Sequence, residues 1–125
     1  MGKALTKQEL HNLAMNYVGK DLEQRGFEFI AVNSKLKKYP QFVCIDKNKQ
    51  YYFVIVRAVI LPDNPNNYDV VWMESFKRHA MEKDAKVLYA GVGVGNIKGN
   101  NLPIYLGEEY LFEYSGIQLV ETNLN

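Results

Sequence analysis

The sequence predicts one α/β (α+β) domain over residues 1–125, in which two helices flank a mixed, largely antiparallel sheet. The composition, 47% hydrophobic and 23% charged, is that of an ordinary globular protein. Two stretches carry apolar residues at the spacing of a helix face, and most of the remainder alternates short apolar runs with turn residues. The expected order is αβββαβ, followed by a small C-terminal β appendix.

The first helix is predicted from its two ends and its apolar face. Thr6 is the expected N-cap, and Glu9 completes a capping box with it. Gly26 is expected to end the helix in the left-handed conformation. The residues of the apolar face are Leu10, Leu13, Ala14, Tyr17, Val18 and Leu22.

Strands are expected over 27–32, 41–46 and 51–60, directly after the first helix. The turn Lys47-Asn48-Lys49 joins the second of these strands to the third. The third strand is an apolar run in which Arg57 is the only charge. A buried charge without a partner is costly, so Arg57 is the first candidate for a functional residue.

The second half of the chain is expected to hold the other helix and the remaining strands. The helix begins near Asp69, whose side chain can cap free backbone N–H groups. Its apolar stripe consists of Trp72, Met73, Phe76 and Ala80. The strands that follow are expected over 86–94 and around 104–106, 110–114 and 117–120.

Three alternating glycines, Gly91, Gly93 and Gly95, lie at the end of the strand expected over 86–94. A dinucleotide-binding loop would have to join the first strand to a helix. These glycines instead follow a late strand and precede turn-forming residues. They are therefore expected to permit close packing or a bulge.

The stretch 39–58 resembles the central hairpin of the PD-(D/E)XK nuclease superfamily, which has the restriction-endonuclease-like fold, and in particular its Holliday-junction-resolvase-like branch. In that branch an Asp and a Glu-x-Lys gather a divalent metal. Here Ile55 takes the place of the Glu, Arg57 that of the Lys and Phe42 that of the Asp. Met15 falls at or near the acid that the first helix often supplies. The resemblance therefore implies a degenerate site, for which we expect no metal ligand and no catalytic residue.

A relocated metal site is the alternative within this resemblance. Asp46 could be a displaced ligand, joined by Asp63 or Asp69, and the chain would then be a metal-dependent nuclease. The ordinary explanation of Asp46 is a solvated charge, because it precedes a turn with two lysines.

The chain is also similar to short proteins that are named after the cluster-binding component of Na⁺-translocating NADH:quinone reductase. That resemblance implies a [2Fe–2S] cluster held by four cysteines, together with a flavin. Cys44 is the only cysteine, so it cannot supply such a cluster. We therefore expect no cofactor, and at most an accessory protein without a cluster or flavin of its own.

Arg57 has two open interpretations. Its planar guanidinium suits a phosphate or a carboxylate of a ligand. The alternative is a structural ion pair with an acid on a helix, such as Asp21 or Glu74.

The loop after the first strand supplies the other candidate binding residues, Lys35, Lys37, Lys38 and Tyr39. The lysines could contact a nucleic-acid backbone while Tyr39 stacks on a base. A solvated loop is the alternative. The net charge of +1 provides no general attraction for nucleic acid.

These observations favour a non-catalytic nuclease-fold binding or scaffold module, with nucleic-acid binding as an alternative. The partner is not identified. The aromatic residues of the appendix either complete the core or add an edge to a second copy in a homodimer. No apolar run reaches the roughly 20 residues that span a bilayer, and the N-terminus lacks a signal-peptide core. We therefore expect no membrane insertion and a cytoplasmic location.

Overall fold

The computed structural model describes residues 3–121 and contains a six-stranded mixed sheet with a helix packed on each face. The element order is αβββαβ followed by two C-terminal strands, which confirms the predicted fold class. The helices are α1 (Lys7–Gln24) and α2 (Val70–Glu82). The strands are β1 (Glu28–Val32), β2 (Phe42–Ile45), β3 (Tyr51–Ile60), β4 (Ala85–Asn96), β5 (Tyr110–Tyr114) and β6 (Gln118–Val120).

The sheet has the order β1-β2-β3-β4-β5, and β6 also pairs with β4. Strands β1, β2 and β3 form an antiparallel meander. Helix α2 then crosses over the sheet, so that β4 runs parallel to β3 along the whole length of β3. Strands β5 and β6 pair with the end and the beginning of β4, respectively. One edge of the sheet is therefore β1, and the opposite edge is shared by β5 and β6.

The helix termini follow the chemistry that the sequence predicts. At the start of α1, the side chain of Thr6 accepts from the N–H of Glu9 at 3.1 Å, and Glu9 accepts in return at 2.9 Å. Gly26 follows the helix with a φ of +89°, a conformation that glycine adopts without a steric penalty. The Asp69 carboxylate accepts from the N–H of Val71 at 2.8 Å and caps α2. These three predictions are confirmed.

Several predicted strand boundaries are corrected. Strand β1 begins at Glu28, one residue later than expected, and β4 continues to Asn96. The strand expected around 104–106 is an isolated bridge between Ala4 and Tyr105. Its partner is the short segment that leads into α1, and the start of the helix limits how far the pairing can extend.

The aromatic residues of the C-terminal appendix pack against α1. The rings of Tyr17 and Phe112 stack with their centroids 4.6 Å apart. The hydroxyl of Tyr114 donates to the Asp21 carboxylate at 2.6 Å. Of the two alternatives for the appendix, these contacts support completion of the core.

Neither helix within residues 3–121 combines the length and the apolar character that a membrane crossing requires.

Candidate functional site

The candidate site lies at the carboxyl ends of β3 and β4. Because these two strands are parallel, their ends lie together with the loop 61–69 that leads into α2. The loop 33–40 reaches the same end of the sheet, because β2 is antiparallel to β3 and begins opposite Val54. Residues from three separate parts of the sequence therefore surround Arg57.

Arg57 is half-buried on the sheet face that α2 covers. Its Nη1 donates to the backbone carbonyl of Asn67, in the loop before α2. The acids proposed as its partners lie elsewhere: Asp21 pairs with Arg25 at 2.9 Å and Glu74 with Lys77 at 2.8 Å. No ion pair of Arg57 occurs within residues 3–121, so the predicted ion pair is wrong. Asp21 cannot reach Arg57 because α1 packs on the opposite face of the sheet.

Tyr89 holds the same loop against the sheet. Its hydroxyl donates to the backbone carbonyl of Pro65 at 2.5 Å, and its ring lies 4.6 Å from that of Tyr68. Burial raises the pKa of Tyr89, while a hydrogen bond with Arg57 and the charge of Arg57 oppose that rise. The phenol and the guanidinium are therefore neighbours, and both orient the backbone of residues 65–67.

The alternating glycines of β4 make room for the loop 61–69. A Cβ atom on Gly91 would lie 2.0 Å from the carbonyl oxygen of Pro65, and one on Gly93 would lie 2.5 Å from Leu61. Gly91 is also the residue that pairs with Arg57 across the parallel ladder. The prediction that these glycines permit close packing is confirmed, and Gly91 allows the loop to reach Arg57.

Tyr39 belongs to an aromatic cluster with Trp72 and Phe76 of α2. Its ring centroid lies 5.3 Å from that of Trp72 and 5.1 Å from that of Phe76. Burial raises the pKa of Tyr39, and the positive charge of Arg57 opposes that rise. Tyr39 therefore lies near Arg57, but its half-buried ring packs against the helix instead of projecting from the loop as an open stacking surface.

The side chains of Lys35, Lys37 and Lys38 are exposed at this same end of the sheet. We name residues 35–38 the lysine loop. Two glutamines anchor it. Gln8 of α1 donates to the carbonyl of Ser34 at 2.7 Å and accepts from the N–H of Leu36 at 2.9 Å.

The second anchor, Gln41, is fully buried. Its Nε2 donates to the carbonyl of Lys38 at 3.1 Å, and its Oε1 accepts from the N–H of Val56 at 2.7 Å. Gln41 thereby connects the lysine loop to the residue that precedes Arg57. Neither glutamine stands out in the sequence, because nothing in its spacing distinguishes it from a surface glutamine.

The positions that the nuclease resemblance assigns to metal ligands do not converge. Ile55 is buried on the α2 face, whereas Phe42 and Met15 are buried on the α1 face. Phe42 pairs with Val54, and adjacent residues of a strand point to opposite faces of the sheet. The sheet therefore separates Phe42 from Ile55.

The three aspartates proposed for a relocated metal site are dispersed. Asp46 accepts from the N–H groups of Gln50 and Asn48 and from the Tyr52 hydroxyl, and these bonds hold the pKa of Asp46 below its usual range. It lies after β2, whereas Asp63 and Asp69 lie at the opposite end of the sheet, before α2. Across the part of the chain that the structure describes, no three His, Cys, Asp or Glu side chains are grouped to hold a metal ion.

Comparison with known proteins identifies a family but not an activity. The sequence model of a family described as a domain of unknown function (DUF8840) matches residues 8–120. The match extends from the first turn of α1 to the end of β6. No curated protein matches the chain. Neither the matching family model nor the search of curated proteins supplies a relative that is a nuclease or a reductase component.

Proposed function

The chain belongs to the DUF8840 family, and we propose that it is a non-catalytic binding module whose ligand contacts Arg57 and the lysine loop. The observation that carries this proposal is the half-buried guanidinium of Arg57, whose Nη1 donates to the Asn67 carbonyl beside the phenol of Tyr89. A guanidinium has five N–H donors in a fixed fork. The described contacts use only part of that fork, so the remainder can bind an anionic group.

The ligand that suits this site is a polyanion, and nucleic acid is the class that we propose. A single phosphate or carboxylate would satisfy Arg57 alone. The lysine loop adds three exposed cations at the same end of the sheet, connected to β3 through Gln41. Several cations spread over a loop and a strand end match the repeated charges of a phosphate backbone.

The nuclease resemblance remains part of the proposal. In that resemblance Arg57 retains a cation in the place of the lysine, while Ile55 replaces a metal-binding acid. A site of this kind would bind a phosphate backbone without a metal to promote its cleavage. A cytoplasmic location, which the sequence predicts, would suit such a module.

The first experiment measures the affinity for labelled single- and double-stranded DNA oligonucleotides by fluorescence anisotropy over a range of salt concentrations. We expect the affinity to fall steeply with salt, by a slope of roughly 0.7 to 0.9 per phosphate contact on logarithmic axes. We expect Arg57→Gln to weaken binding about tenfold, the effect of losing a charged hydrogen bond of about 1.4 kcal/mol. A triple Lys→Gln variant of Lys35, Lys37 and Lys38 should also reduce the salt slope.

A matched control changes the same number of lysines at the other end of the sheet. Lys47 and Lys49 lie in the β2–β3 turn, and Lys86 pairs with Tyr52 near the start of β4. A triple Lys→Gln variant at these positions should bind like the wild-type protein. Equal losses in the two triple variants would show that only net charge matters and would contradict the proposed site.

Two further outcomes would count against the proposal. Absence of binding even at low salt would remove nucleic acid as the ligand. Cleavage of the oligonucleotides by the wild-type protein in magnesium, lost in an Asp46→Asn or Asp69→Asn variant, would instead support the relocated nuclease. Thermal melting of every variant shows whether a loss of binding merely reflects a loss of folding.

A further inference from the structure

Gln41 lies where the chain joins the sheet at the start of β2. Its backbone N–H donates to the carbonyl of Val54 at 3.0 Å, so the main chain is already bonded to β3 at this residue. Two residues further along β3, the N–H of Val56 bonds to the Oε1 of Gln41 at 2.7 Å instead of to a backbone carbonyl. The side chain of Gln41 therefore replaces a strand partner, which allows the chain before it to turn away from the sheet.

Gln41 also holds both ends of the segment 33–38. Its backbone carbonyl accepts from the N–H of Asn33 at 2.8 Å, and its Nε2 donates to the carbonyl of Lys38 at 3.1 Å. The side chain is fully buried, and a buried polar group that loses its partner is costly. These bonds therefore fix the segment relative to β3.

The lysine loop has a fixed internal shape between these two ends. The N–H of Lys38 donates to the Lys35 carbonyl at 3.2 Å, which closes a turn. Within this turn Lys37 has a φ of +65°, a left-handed conformation that is unfavourable for a residue with a Cβ atom. Such a conformation persists where the surrounding contacts enforce it. The loop is therefore a preformed unit whose position is set at its ends.

We propose that Gln41 is a positioning residue of the binding site, which holds the lysine loop at a fixed separation from Arg57 without touching the ligand. Arg57 directly follows Val56, which Gln41 bonds on one side, and Lys38 is bonded on the other. One amide group thus connects both cationic parts of the site. Cations that are fixed before binding lose less conformational entropy when the ligand binds. This inference rests on the proposed binding of nucleic acid.

A Gln41→Met variant tests the positioning role. It keeps the net charge, all three loop lysines and a side chain of similar size, but it removes both side-chain hydrogen bonds. We expect the affinity for the labelled oligonucleotides to fall about tenfold. We also expect the salt slope to fall towards that of the triple lysine variant, because the lysines no longer meet the phosphates together. A role in folding alone would leave the slope unchanged in protein that thermal melting shows to be folded.

Gln50→Met is the matched control. The Nε2 of Gln50 also donates to two backbone carbonyls, those of Tyr51 at 3.0 Å and Asp84 at 3.1 Å, but at the opposite end of the sheet. This variant should bind with the affinity and the salt slope of the wild-type protein. If the wild-type protein binds and Gln41→Met keeps its affinity and slope, or if the control loses as much, the inference is overturned.

Hydrogen exchange measured by NMR tests the same contacts without a ligand. In the wild-type protein, we expect slow exchange of the Val56 N–H and of the side-chain amide protons of Gln41, a result that does not depend on any variant folding. In Gln41→Met, the backbone amides of the lysine loop should exchange about tenfold faster. Fast exchange at both wild-type groups, or an unchanged loop in the variant, would overturn the inference. Absence of oligonucleotide binding together with the expected exchange would count against the proposed function alone.

Discussion

The two faces of the sheet share the central strands β3 and β4 but differ in the side chains that these strands place there. On the face covered by α1, the buried residues of β3 and β4 are aliphatic, and the 18-residue helix buries six of its own residues. On the other face, the 13-residue α2 buries only two of its residues, and the inward side chains include Tyr89 and Arg57. The first face is an ordinary hydrophobic core. The second combines a smaller core with the candidate site.

The difference follows from how much of each face a helix covers. Helix α2 leaves the carboxyl ends of β3 and β4 to the loop 61–69, which lies over Gly91, Gly93 and Gly95. A loop brings unpaired backbone carbonyls into contact with the sheet, and these carbonyls need donors. Arg57 and Tyr89 supply them, at Asn67 and Pro65. The polar groups of this face are therefore part of its structure, because they satisfy carbonyls of the loop.

The largest effect is expected for Gly91→Ala on the α2 face. The added methyl group would overlap the Pro65 carbonyl, so either the loop or β4 must move. We expect the free energy of unfolding to fall by about 2 to 3 kcal/mol, as for other overpacked positions. Denaturation with urea measures this change.

The control for that substitution is Gly19→Ala in α1. A Cβ atom there would lie 3.5 Å from the ring of Phe42, an ordinary van der Waals distance. Since alanine favours a helix over glycine by about 1 kcal/mol, this variant should be as stable as the wild-type protein or more stable. If Gly91→Ala were equally well tolerated, the account of the loop contact would be wrong.

An intermediate effect is expected for His11 on the α1 face, and His79 on the α2 face is its control. His11 of α1 is buried, and its Nε2 has no hydrogen-bond partner within residues 3–121. Replacement by leucine should raise the free energy of unfolding by about 1 to 2 kcal/mol at neutral pH, because an unsatisfied buried polar group is removed. His79 of α2 is exposed, so His79→Leu should have little effect.

His11 also predicts how stability depends on pH. Burial lowers the pKa of His11. As the pH falls below about 6.5, the usual pKa of histidine, His11 becomes protonated in the unfolded chain while it is still neutral in the folded chain. Stability should therefore fall from about pH 6.5 towards the lowered pKa, and His11→Leu should flatten this part of the curve. A wild-type curve that stays flat from neutral pH to about pH 5 would contradict the assignment.

The sequence predicted the elements of both faces better than it predicted their contacts. The capping box at Thr6, the cap at Asp69 and the strand 51–60 depend on residues close together in the chain, so local patterns were sufficient. The partners of Arg57 lie 10 residues ahead, in Asn67, and 32 residues ahead, in Tyr89. Their contact depends on how the loop 61–69 folds onto the sheet, which no local pattern encodes.

Register explains why two positions that the nuclease resemblance assigns to metal ligands lie apart. The sequence correctly placed Phe42 at the start of β2 and Ile55 in the middle of β3. Whether two such residues share a face depends on the exact pairing register of their strands. A shift of one residue would move every side chain of a strand to the other face of the sheet. Phe42 pairs with Val54, and the sheet therefore separates it from Ile55.

The smallest effect is expected for a hydroxyl on the α1 face. The Tyr114 hydroxyl donates to Asp21, and the change Tyr114→Phe removes this bond while the ring still packs near Tyr17. We expect the free energy of unfolding to fall by about 1 kcal/mol, less than is usual for a bond to a carboxylate, because Asp21 keeps its ion pair with Arg25. Denaturation with urea would measure this loss. Tyr51→Phe is the control, because the Tyr51 side chain is 43% exposed and should lose nothing measurable. Losses of equal size in the two variants would show that the hydrogen bond between Tyr114 and Asp21 does not account for the loss.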